Sequence, residues 1–463
     1  MDVRIKFLGG ASTVTGSKYL LELDDYQILV DCGLFQGLKE LRLRNWDSLP
    51  IDISKIDAVV LTHAHIDHSG YLPKLVKDGY AGKIYCTEPT AALLEIMLLD
   101  AGRLQEEEAN FARKKGYSKH EKPLPLFSEE DAKQVLPHIE PFRFGRQIPL
   151  CKQASVRFFH AGHILGASSV DLHVHGAAQK KHIVFSGDLG PYESPLHFAP
   201  EKVGFADVLL VESTYGNRNR EGEDALYQFR DIIKKADERT GCLVIPAFSV
   251  GRTQLILYYL WKLFSEEKVR ERPVYIDSPM AISVTDLYRK YSHCHRLNED
   301  ARLHKIFDAP FFKYVTDQGV SKSLNEIKKN AIIISASGMC TGGRILHHLF
   351  HRLPRYEDTI LLTGYQAEGS RGRRMAEGEA IIKIFGEQVP VHADIAEING
   401  LSAHADQSEL LRWLDEFVSP PKWTFVVHGE KANATTLKQE LEARNLNAFV
   451  PEYLESFQLF QGI

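Results

Sequence analysis

Four side chains that can bind a metal ion lie close together in the sequence, at His63, His65, Asp67 and His68. They follow the apolar run 58–61, which is typical of a strand buried on both faces. Imidazole and carboxylate groups are ligands that zinc accepts. Because so many ligands on one short loop cannot all bind one ion, the first two can turn to one side and the last two to the other. The spacing therefore predicts two neighbouring metal ions.

Three further candidate ligands each follow an apolar stretch, at His163, Asp188 and His428. Taken alone, none of them indicates a metal ligand, because a single histidine more often has a structural role and an aspartate after a glycine is usually a turn residue. What they share is a position just past the carboxyl end of a buried strand, where α/β-type sheets gather their ligands. This shared position makes them candidates for the same metal centre.

The elements that must position these side chains form three successive stretches of the chain. Up to about residue 215 the sequence predicts a helix over about 90–115, a loop with one short helix over 120–141, and strands over 4–9, 18–23, 27–31, 58–62, 83–86, 156–159, 170–174, 182–185 and 208–211. Helical stretches then alternate with apolar strands over 242–245, 274–277, 331–335 and 359–362. This alternation is typical of an α/β unit with a parallel sheet.

From about residue 391 to the end, the chain again contains histidines of the kind that form the candidate metal site in the first part, such as His428. We therefore predict that residues 216–390 form a domain inserted into a discontinuous first domain, which consists of residues 1–215 and 391–463. The length of 463 residues agrees with more than one domain.

The composition is that of a globular protein, with 44% hydrophobic and 25% charged residues. No apolar run approaches the roughly 20 residues of a membrane-spanning helix, and the first residues alternate like a strand and not like a signal peptide. We therefore expect a cytoplasmic protein that does not engage a membrane. The six cysteines show no C-x-x-C spacing and are expected to be reduced and buried. The net charge of −5 gives no overall basic footprint for nucleic acid.

The metal-binding motifs resemble those of the metallo-β-lactamase superfamily, in the pattern His63-x-His65-x-Asp67-His68 followed by His163 and Asp188. Glu212, the segment 400–406 and His428 are similar to further motifs of its β-CASP branch, as are the segments 246–252 and 276–281. That branch includes the nuclease subunit of the cleavage and polyadenylation machinery and bacterial and archaeal ribonucleases. The resemblance covers nearly the whole chain. It implies an α/β fold, a metallo-β-lactamase αββα sandwich with an inserted α/β β-CASP cap domain.

The resemblance also implies a ligand set for two zinc ions. One ion would take His63, His65 and His163, the other would take Asp67, His68 and His428, and Asp188 would bridge the two beside a water or hydroxide. Asp67 thereby counts among the catalytic residues as well. Asp31 would orient ligand groups by accepting hydrogen bonds, although a strand-end turn carboxylate is an equal interpretation of the sequence alone. Manganese or iron can occupy nitrogen and oxygen sites of this type.

The implied activity is zinc-dependent hydrolysis of RNA phosphodiester bonds by the metal-bridging hydroxide. The expected products carry a 5′-phosphate and a 3′-hydroxyl. His404 would be the general acid, and Glu212 would hold its imidazole in the right tautomer; the sequence alone equally allows a surface histidine with satisfied hydrogen bonds. The expected partner is single-stranded RNA. Endonucleolytic and 5′-exonucleolytic action use the same site, and a monomer and a homodimer are both open.

Contacts to the RNA backbone are expected from basic, glycine-bearing segments of the insertion. The candidates are Arg252, Ser337, Gly338, Arg344, Arg371 and Arg373. Neighbouring glycines let backbone N–H groups approach phosphates closely, and a helix N-terminus attracts them. A solvated run of charge is the alternative for 371–374. Such contacts hold the strand without reading its sequence, and they predict binding that weakens strongly with salt.

Three other functions fit parts of the sequence. A DNA nuclease of the same superfamily is one, but family members with DNA substrates tend to lack a histidine at the position of His428. A small-molecule thioester or lactone hydrolase is the second, and it would leave the inserted domain without a purpose. A non-enzymatic subunit of an RNA-processing assembly is the third, and the complete ligand set argues against it.

Overall fold

The computed structural model describes residues 1–115, 123–177, 179–219, 224–298, 305–364, 366, 369–398 and 400–463. The chain divides into two compact units. The first unit consists of Met1–Asn219 and His404–Ile463, and the second unit consists of Arg220–Ala403.

The strands of the described residues are numbered along the chain. In the first stretch they are β1 (Val3–Gly9), β2 (Lys18–Leu23), β3 (Tyr26–Val30), β4 (Ile56–Val60), β5 (Lys83–Thr87), β6 (Ile139–Phe142), β7 (Gln147–Pro149), β8 (Ala154–His160), β9 (Ser168–His175), β10 (Lys180–Phe185) and β11 (Val208–Glu212). In the second unit they are β12 (Leu243–Pro246), β13 (Val274–Ile276), β14 (Phe312–Tyr314), β15 (Ile332–Ser335), β16 (Thr359–Thr363), β17 (Ile381–Ile384), β18 (Glu387–Pro390) and β19 (Asp394–Ile398). The last three are β20 (Trp423–Val427), β21 (Ala448–Phe449) and β22 (Ser456–Phe460).

The α-helices of the described residues are numbered in the same way. They are α1 (Lys39–Leu43), α2 (Ile66–Ser69), α3 (Leu72–Lys77), α4 (Glu88–Lys115), α5 (Glu129–Lys133), α6 (Ala225–Glu238), α7 (Arg252–Ser265), α8 (Pro279–Lys290), α9 (Gln318–Ser323), α10 (Ile345–Arg352), α11 (Arg371–Ala376), α12 (Gln407–Leu414) and α13 (Lys431–Ala443). None of these helices combines the length and the apolar character needed to cross a membrane.

The first unit is built on two seven-stranded sheets. Their strand orders are β22-β1-β2-β3-β4-β5-β6 and β21-β20-β11-β10-β9-β8-β7. Alternate residues of strands from both sheets fill one apolar core, as Ile5, Val60, Leu172 and Leu210 do, so the sheets pack face to face. Helix α4 packs on β5 and β6 of the first sheet, and α13 packs on β20 and β21 of the second. This layered arrangement is the one that the sequence predicted.

The strands next to the metal-binding motifs run in the same direction within each sheet. Strands β3, β4 and β5 pair in parallel, and β10, β11 and β20 do the same in the second sheet. Because β9 is antiparallel to both β8 and β10, the carboxyl ends of β8 and β10 point the same way. The loops that leave these strands therefore lie along one edge of each sheet.

The second unit has a six-stranded parallel sheet in the order β14-β13-β15-β12-β16-β19, together with the hairpin β17-β18. Its central strands β12, β15 and β16 are buried, and helices lie between the strands in the chain. Side chains from β12, β15 and β16 pack with α10 and with the hairpin in a second apolar core. The predicted α/β class of the insertion is therefore confirmed.

The limits of the units differ from the sequence-based domain boundaries at the second junction. The prediction returned the chain to the first domain at residue 391, whereas the first unit resumes at His404. The reason is β19, which pairs in parallel with β16 as the edge strand of the second unit's sheet. Its charged and half-buried residues lack the continuous apolar pattern by which the other strands of this sheet are recognised. In the predicted loop 120–141, residues 120–122 lie outside the described part, and the remainder contains α5 and β6.

Candidate metal centre

All seven predicted ligands belong to the first unit, and each follows the end of a strand. His63, His65, Asp67 and His68 follow β4, His163 follows β8, Asp188 follows β10, and His428 follows β20. Two turns require unusual backbone conformations, because His428 has a φ of 47° and Gly187, just before Asp188, a φ of 57°. The parallel directions of these strands bring the seven side chains together.

Backbone hydrogen bonds fix the loop that carries the first four ligands. The N–H groups of Ser17, Cys32 and Leu34 donate to the carbonyl oxygens of Asp67, His68 and Ile66. Gly33 lies so close to this loop that a Cβ at its position would overlap the carbonyl of Asp67. A side chain at this position is therefore incompatible with the ligand loop as it is packed.

The first ligand group consists of three imidazoles and one carboxylate. Nδ1 of His65 lies 3.1 Å from Nε2 of His63 and 3.1 Å from Nε2 of His163. The Oδ2 atom of Asp188 is 3.4 Å from His63 Nε2 and 3.5 Å from His163 Nε2. One ligand atom from each of the four residues therefore points to a common centre.

The second ligand group consists of Asp67, His68 and His428. Nε2 of His68 is 3.1 Å from Nε2 of His428, which lies 3.3 Å from Oδ2 of Asp67. The other oxygen of Asp188, Oδ1, lies 3.3 Å from His68 Nε2. Asp188 therefore presents one carboxylate oxygen to each group.

These distances and the donor set fit two zinc-class ions. Ligand atoms bound tetrahedrally at about 2.1 Å from zinc are about 3.4 Å apart, close to the spacings in both groups. Oδ1 of Asp188 is buried and has no hydrogen-bond donor among the described residues, and a bound cation would satisfy it. The ring nitrogens of His65 and its two neighbours face one another, an arrangement that a shared cation also explains.

The protonation of the first group favours metal binding. Burial lowers the pKa of His65 to about 4 and, together with the neighbouring His68, that of His63 well below its ordinary value. Both imidazoles are therefore neutral near pH 7, as ligands must be. Burial raises the pKa of Asp188, but His428, His68 and His63 hold it well below its usual range. Asp188 is therefore a carboxylate at the same pH.

Asp31 contacts a ligand of the second group from behind. Its Oδ2 lies 2.7 Å from Nδ1 of His68, and its Oδ1 accepts from the backbone N–H of Thr62 at 2.8 Å. Asp31 directly follows β3, has a φ of 58° and is buried. This contact leaves Nε2 of His68 for the ligand group, the geometry of an orienting carboxylate.

His404 and Glu212 form a pair beside the first ligand group. Nδ1 of His404 lies 3.1 Å from Oε1 of Glu212, and Nε2 lies 4.0 Å from Oδ2 of Asp188. Burial lowers the pKa of His404, but the carboxylates of Glu212 and Asp188 together outweigh burial and raise the pKa to about 9. Glu212 is completely buried at the end of β11. The pair therefore carries a proton on the imidazole at neutral pH.

Two residues at the site were missed by the sequence reasoning. The hydroxyl of Thr62 bonds to Asp31 at 2.9 Å and lies 3.0 Å from Nδ1 of His63. The hydroxyl of Thr214 lies 3.2 Å from Nδ1 of His428. Thr62 thus contacts the His63 nitrogen that is not part of the first ligand group, whereas the His428 nitrogen beside Thr214 also lies 3.3 Å from Oδ1 of Asp188. The sequence does place Thr62 beside His63 and Thr214 near Glu212, each at the end of a strand. Threonine is too common at strand ends for this position alone to indicate a role in the site.

The six residues predicted to contact RNA all belong to the second unit. Arg344 is held within that unit, because its guanidinium donates to Asp277 Oδ1 at 2.7 Å and to the carbonyls of Val315 and Thr316. Arg252 begins α7, donates to the carbonyl of Thr363 and lies against Gly364, where an added Cβ would clash with it. Both arginines therefore support the fold of the second unit.

Ser337 and Gly338 lie in one loop, residues 336–344, that follows β15, and Arg371 and Arg373 lie on α11. Ser337 bonds through its hydroxyl to the N–H of Thr341, and Arg371 donates to the carbonyls of Cys340 and Thr341. Arg373, on α11, is about half exposed and pairs with the exposed Glu377. Gly338 is buried against Phe248. The structure thus brings Arg371 to the loop of Ser337 and Gly338.

Three protein families match successive parts of the chain. Residues 13–221 match the metallo-beta-lactamase superfamily, residues 253–375 match the Beta-Casp domain, and residues 388–451 match the Zn-dependent metallo-hydrolase RNA specificity domain. The first match ends just after Glu212, and the last contains His404 and His428. The predicted superfamily and branch are therefore confirmed.

Several curated proteins are similar over nearly the whole chain. Ribonuclease TTHA0252 of Thermus thermophilus is 35% identical over 96% of both chains. An RNase J-like protein of Methanocaldococcus jannaschii is 30% identical over 97% of this chain and 98% of its own length. The transcription termination factor FttA of the same organism is 29% identical over 93% of this chain and 67% of its own length. Among solved structures, a protein of unknown function from Enterococcus faecalis V583 shares the fold with a TM-score of 0.56 at 14% identity, covering 99% of this chain and 100% of its own.

Proposed function

The chain belongs to the β-CASP family of the metallo-β-lactamase superfamily, and from that premise we propose that it is a metal-dependent ribonuclease. The RNA specificity domain match and the names of two similar proteins, a ribonuclease and an RNase J-like protein, support RNA as the substrate. The resemblance described from the sequence supports it as well, because it implies that family members with DNA substrates tend to lack a histidine at the position of His428. Single-stranded RNA is the proposed form.

The observation that carries the proposal is the sharing of Asp188 between two ligand groups. Its two oxygens lie 3.3–3.5 Å from imidazole nitrogens of opposite groups. The His404–Glu212 pair stands beside the same carboxylate. A pair of cations with an adjacent proton donor is the arrangement that phosphodiester hydrolysis requires.

Two bound divalent ions would supply a nucleophilic hydroxide at neutral pH and would neutralise charge on the scissile phosphate. The chain's own residues supply orientation and a proton. Asp31 fixes the ring of His68, and Glu212 fixes the ring of His404. Because Nδ1 of His404 faces Glu212, its Nε2 holds the proton that we propose passes to the leaving 3′-oxygen. The products would then carry a 5′-phosphate and a 3′-hydroxyl.

The ligand types favour zinc for both ions. Nitrogen and carboxylate ligands at these spacings suit zinc, while manganese and iron bind similar donors. The positive charge of two ions would lower the pKa of His404 from the value of about 9 that burial, Glu212 and Asp188 give it without them. Such a shift toward neutrality would make His404 a better proton donor near pH 7.

The experiment that tests the proposal compares one sequence as end-labelled single-stranded RNA and DNA. The wild-type chain, loaded with zinc, is expected to cleave the RNA, while Asp188→Ala is inactive. The ladder of products shows whether cleavage begins inside the strand or at its 5′ end. Cleavage of DNA in place of RNA would favour a DNA nuclease. Turnover of a thioester or lactone without cleavage of either strand would favour a small-molecule hydrolase.

A further inference from the structure

A second cluster of metal-ligand side chains lies in the first unit on strands β9 and β10. It consists of Asp171, His173 and His182. In the described part of the chain it is the one such cluster that shares no residue with the metal centre. We propose that it binds a divalent transition-metal ion of the zinc class, separate from the two-ion centre.

The register of the sheet brings the three side chains together. His173 on β9 and His182 on β10 are directly opposite each other, and Asp171 is two residues before His173 and so on the same face. Val170, Leu172 and Val174, which alternate with them, fill the core between the sheets. The cluster therefore faces away from the core, on the outer side of the second sheet.

The distances suit two imidazoles and a carboxylate on one ion. Nδ1 of His182 is 3.2 Å from Oδ1 of Asp171, close to the spacing of about 3.4 Å between tetrahedral zinc ligands. Nε2 of His173 is 2.6 Å from Oδ2 of Asp171, the length of a charge-assisted hydrogen bond. Binding therefore exchanges the proton between His173 and Asp171 for the ion, and that proton leaves to solvent.

The carboxylate of Asp171 interacts with His173 and His182 and not with the arginine on the neighbouring strand. Arg157 is directly opposite Asp171 on β8, where a cross-strand ion pair would be expected. Instead its guanidinium lies over the ring of Phe159, at 4.7 Å from the centroid, and its buried Nε has no hydrogen-bond partner. Asp171 and His173 are each about 95% buried, with 5% exposure, whereas His182 is partly exposed. Solvent can therefore reach the cluster from the side of His182.

A side-chain amide lies beside the other ring nitrogen of His173. The amide nitrogen Nε2 of Gln147, on β7, is 2.6 Å from Nδ1 of His173. Rotation of this amide by 180° would bring its oxygen to the ring, where it would accept the Nδ1 proton and fix the tautomer in which Nε2 binds the ion. An ion here would connect β9 to β10, the strand that leads to Asp188.

The test is a count of zinc ions per chain. Wild-type protein and the double variant His173→Gln/His182→Asn are equilibrated with zinc at a low, buffered free concentration, desalted and measured by elemental mass spectrometry. The double variant is expected to hold one ion fewer than wild type. The control is His175→Gln, since His175 lies on the same strand and face but outside the cluster, and it should keep the wild-type count.

A second variant covers the case in which the double variant does not fold. The single change His182→Asn alters the partly exposed member alone, and it should also remove one ion. The melting temperature provides an independent measurement, because zinc should raise it less in His182→Asn than in wild type. An equal zinc count in His182→Asn and wild type would overturn the proposal, as would the same loss in His175→Gln. Neither result depends on ribonuclease activity.

Discussion

Glu212 holds Nδ1 of His404 between its two carboxylate oxygens, at 3.1 Å and 3.2 Å. The same carboxylate accepts the backbone N–H groups of Leu189 at 2.7 Å and Thr214 at 3.3 Å. Because Glu212 is fixed by the loops after β10 and β11, the imidazole that it holds is fixed as well. This contact ties the proposed proton donor to the same loop that carries Asp188.

Replacement of His404 by alanine should remove catalysis and leave metal binding intact. His404 contributes to neither of the two ligand groups that share Asp188 in the proposed assignment, so the zinc content should equal that of wild type. The cleavage rate in single turnover should fall by a factor of roughly 10²–10⁴, the usual contribution of a general acid. A wild-type rate in His404→Ala would show that another group supplies the proton.

Replacement of Glu212 by glutamine should change the pH dependence of cleavage. The carboxylate raises the pKa of His404, and an acid must be protonated to act, so the rate declines as pH rises above that pKa. Without the charge, the pKa falls, and the alkaline limb of the profile should move down by about one unit. The profile of log kcat against pH measures this shift. If the alkaline limb does not move, the group whose ionisation limits the rate at high pH is not His404.

Asp31→Asn should weaken zinc binding at the second ligand group. Asp31 contacts Nδ1 of His68 and the N–H and hydroxyl of Thr62, so its charge makes His68 a stronger ligand and fixes its ring. Loss of such a partner typically costs about 10–100-fold in metal affinity. Zinc release to a competing chelator measures the change, with Asp25→Asn on the exposed β2–β3 turn as the control. Equal zinc affinity in Asp31→Asn and wild type would mean that Asp31 stabilises the turn after β3 and does not affect metal binding.

The sequence predicted which side chains lie together at the candidate metal centre, because they share a position in the fold. His163, Asp188 and His428 each leave a buried strand at its carboxyl end, and an apolar strand followed by a polar ligand is visible in the amino-acid order. The contacts of Thr62 and Thr214 were not visible, because they depend on which ring nitrogen of a histidine faces inward. That choice is made only when the strands pack.

The second unit shows the opposite limit. Arg344 was predicted to contact RNA because it follows two glycines before a helix, yet its guanidinium bonds to Asp277, which is 67 residues away in the sequence. A local sequence pattern identifies a basic residue near a loop, but it does not show that a carboxylate distant in the sequence forms an ion pair with that residue. The prediction of an RNA contact at Arg344 stays untested. The strand β19 escaped detection for a related reason, since its place at the sheet edge permits charged residues.

Asp277 should make the stability of the second unit depend on pH. Burial raises its pKa, but hydrogen bonds with His348, Arg344 and Ser321 hold it below the ordinary value. A carboxylate with a lowered folded pKa stabilises above the unfolded pKa of about 3.9 and loses that contribution as pH falls through the folded pKa.

Asp277→Asn should therefore lower the free energy of unfolding by about 2 kcal/mol at neutral pH. The difference from wild type should shrink on acidification below about pH 4. Hydrogen exchange of the β15 amides across this pH range measures it within the second unit. A difference that stayed constant with pH would mean that the carboxylate's charge is not what stabilises the network.

Arg373 and Arg344 should respond differently to substitution if the basic segment of α11 binds RNA. Arg373 pairs with Glu377 on the helix surface, and the two side chains are 49% and 57% exposed, so exchange of this partner for a phosphate costs little. Arg373→Gln should weaken RNA binding across sequences and lower the slope of log affinity against log salt by about one, with unchanged stability.

Arg344→Gln should instead reduce the stability of the second unit, because it leaves the buried Asp277 with one charged partner fewer. Binding to an inactive Asp188→Ala background at several salt concentrations, beside thermal unfolding, measures both effects. If Arg373→Gln leaves the salt slope unchanged, the charge of α11 serves the solvated surface of the helix and not the RNA.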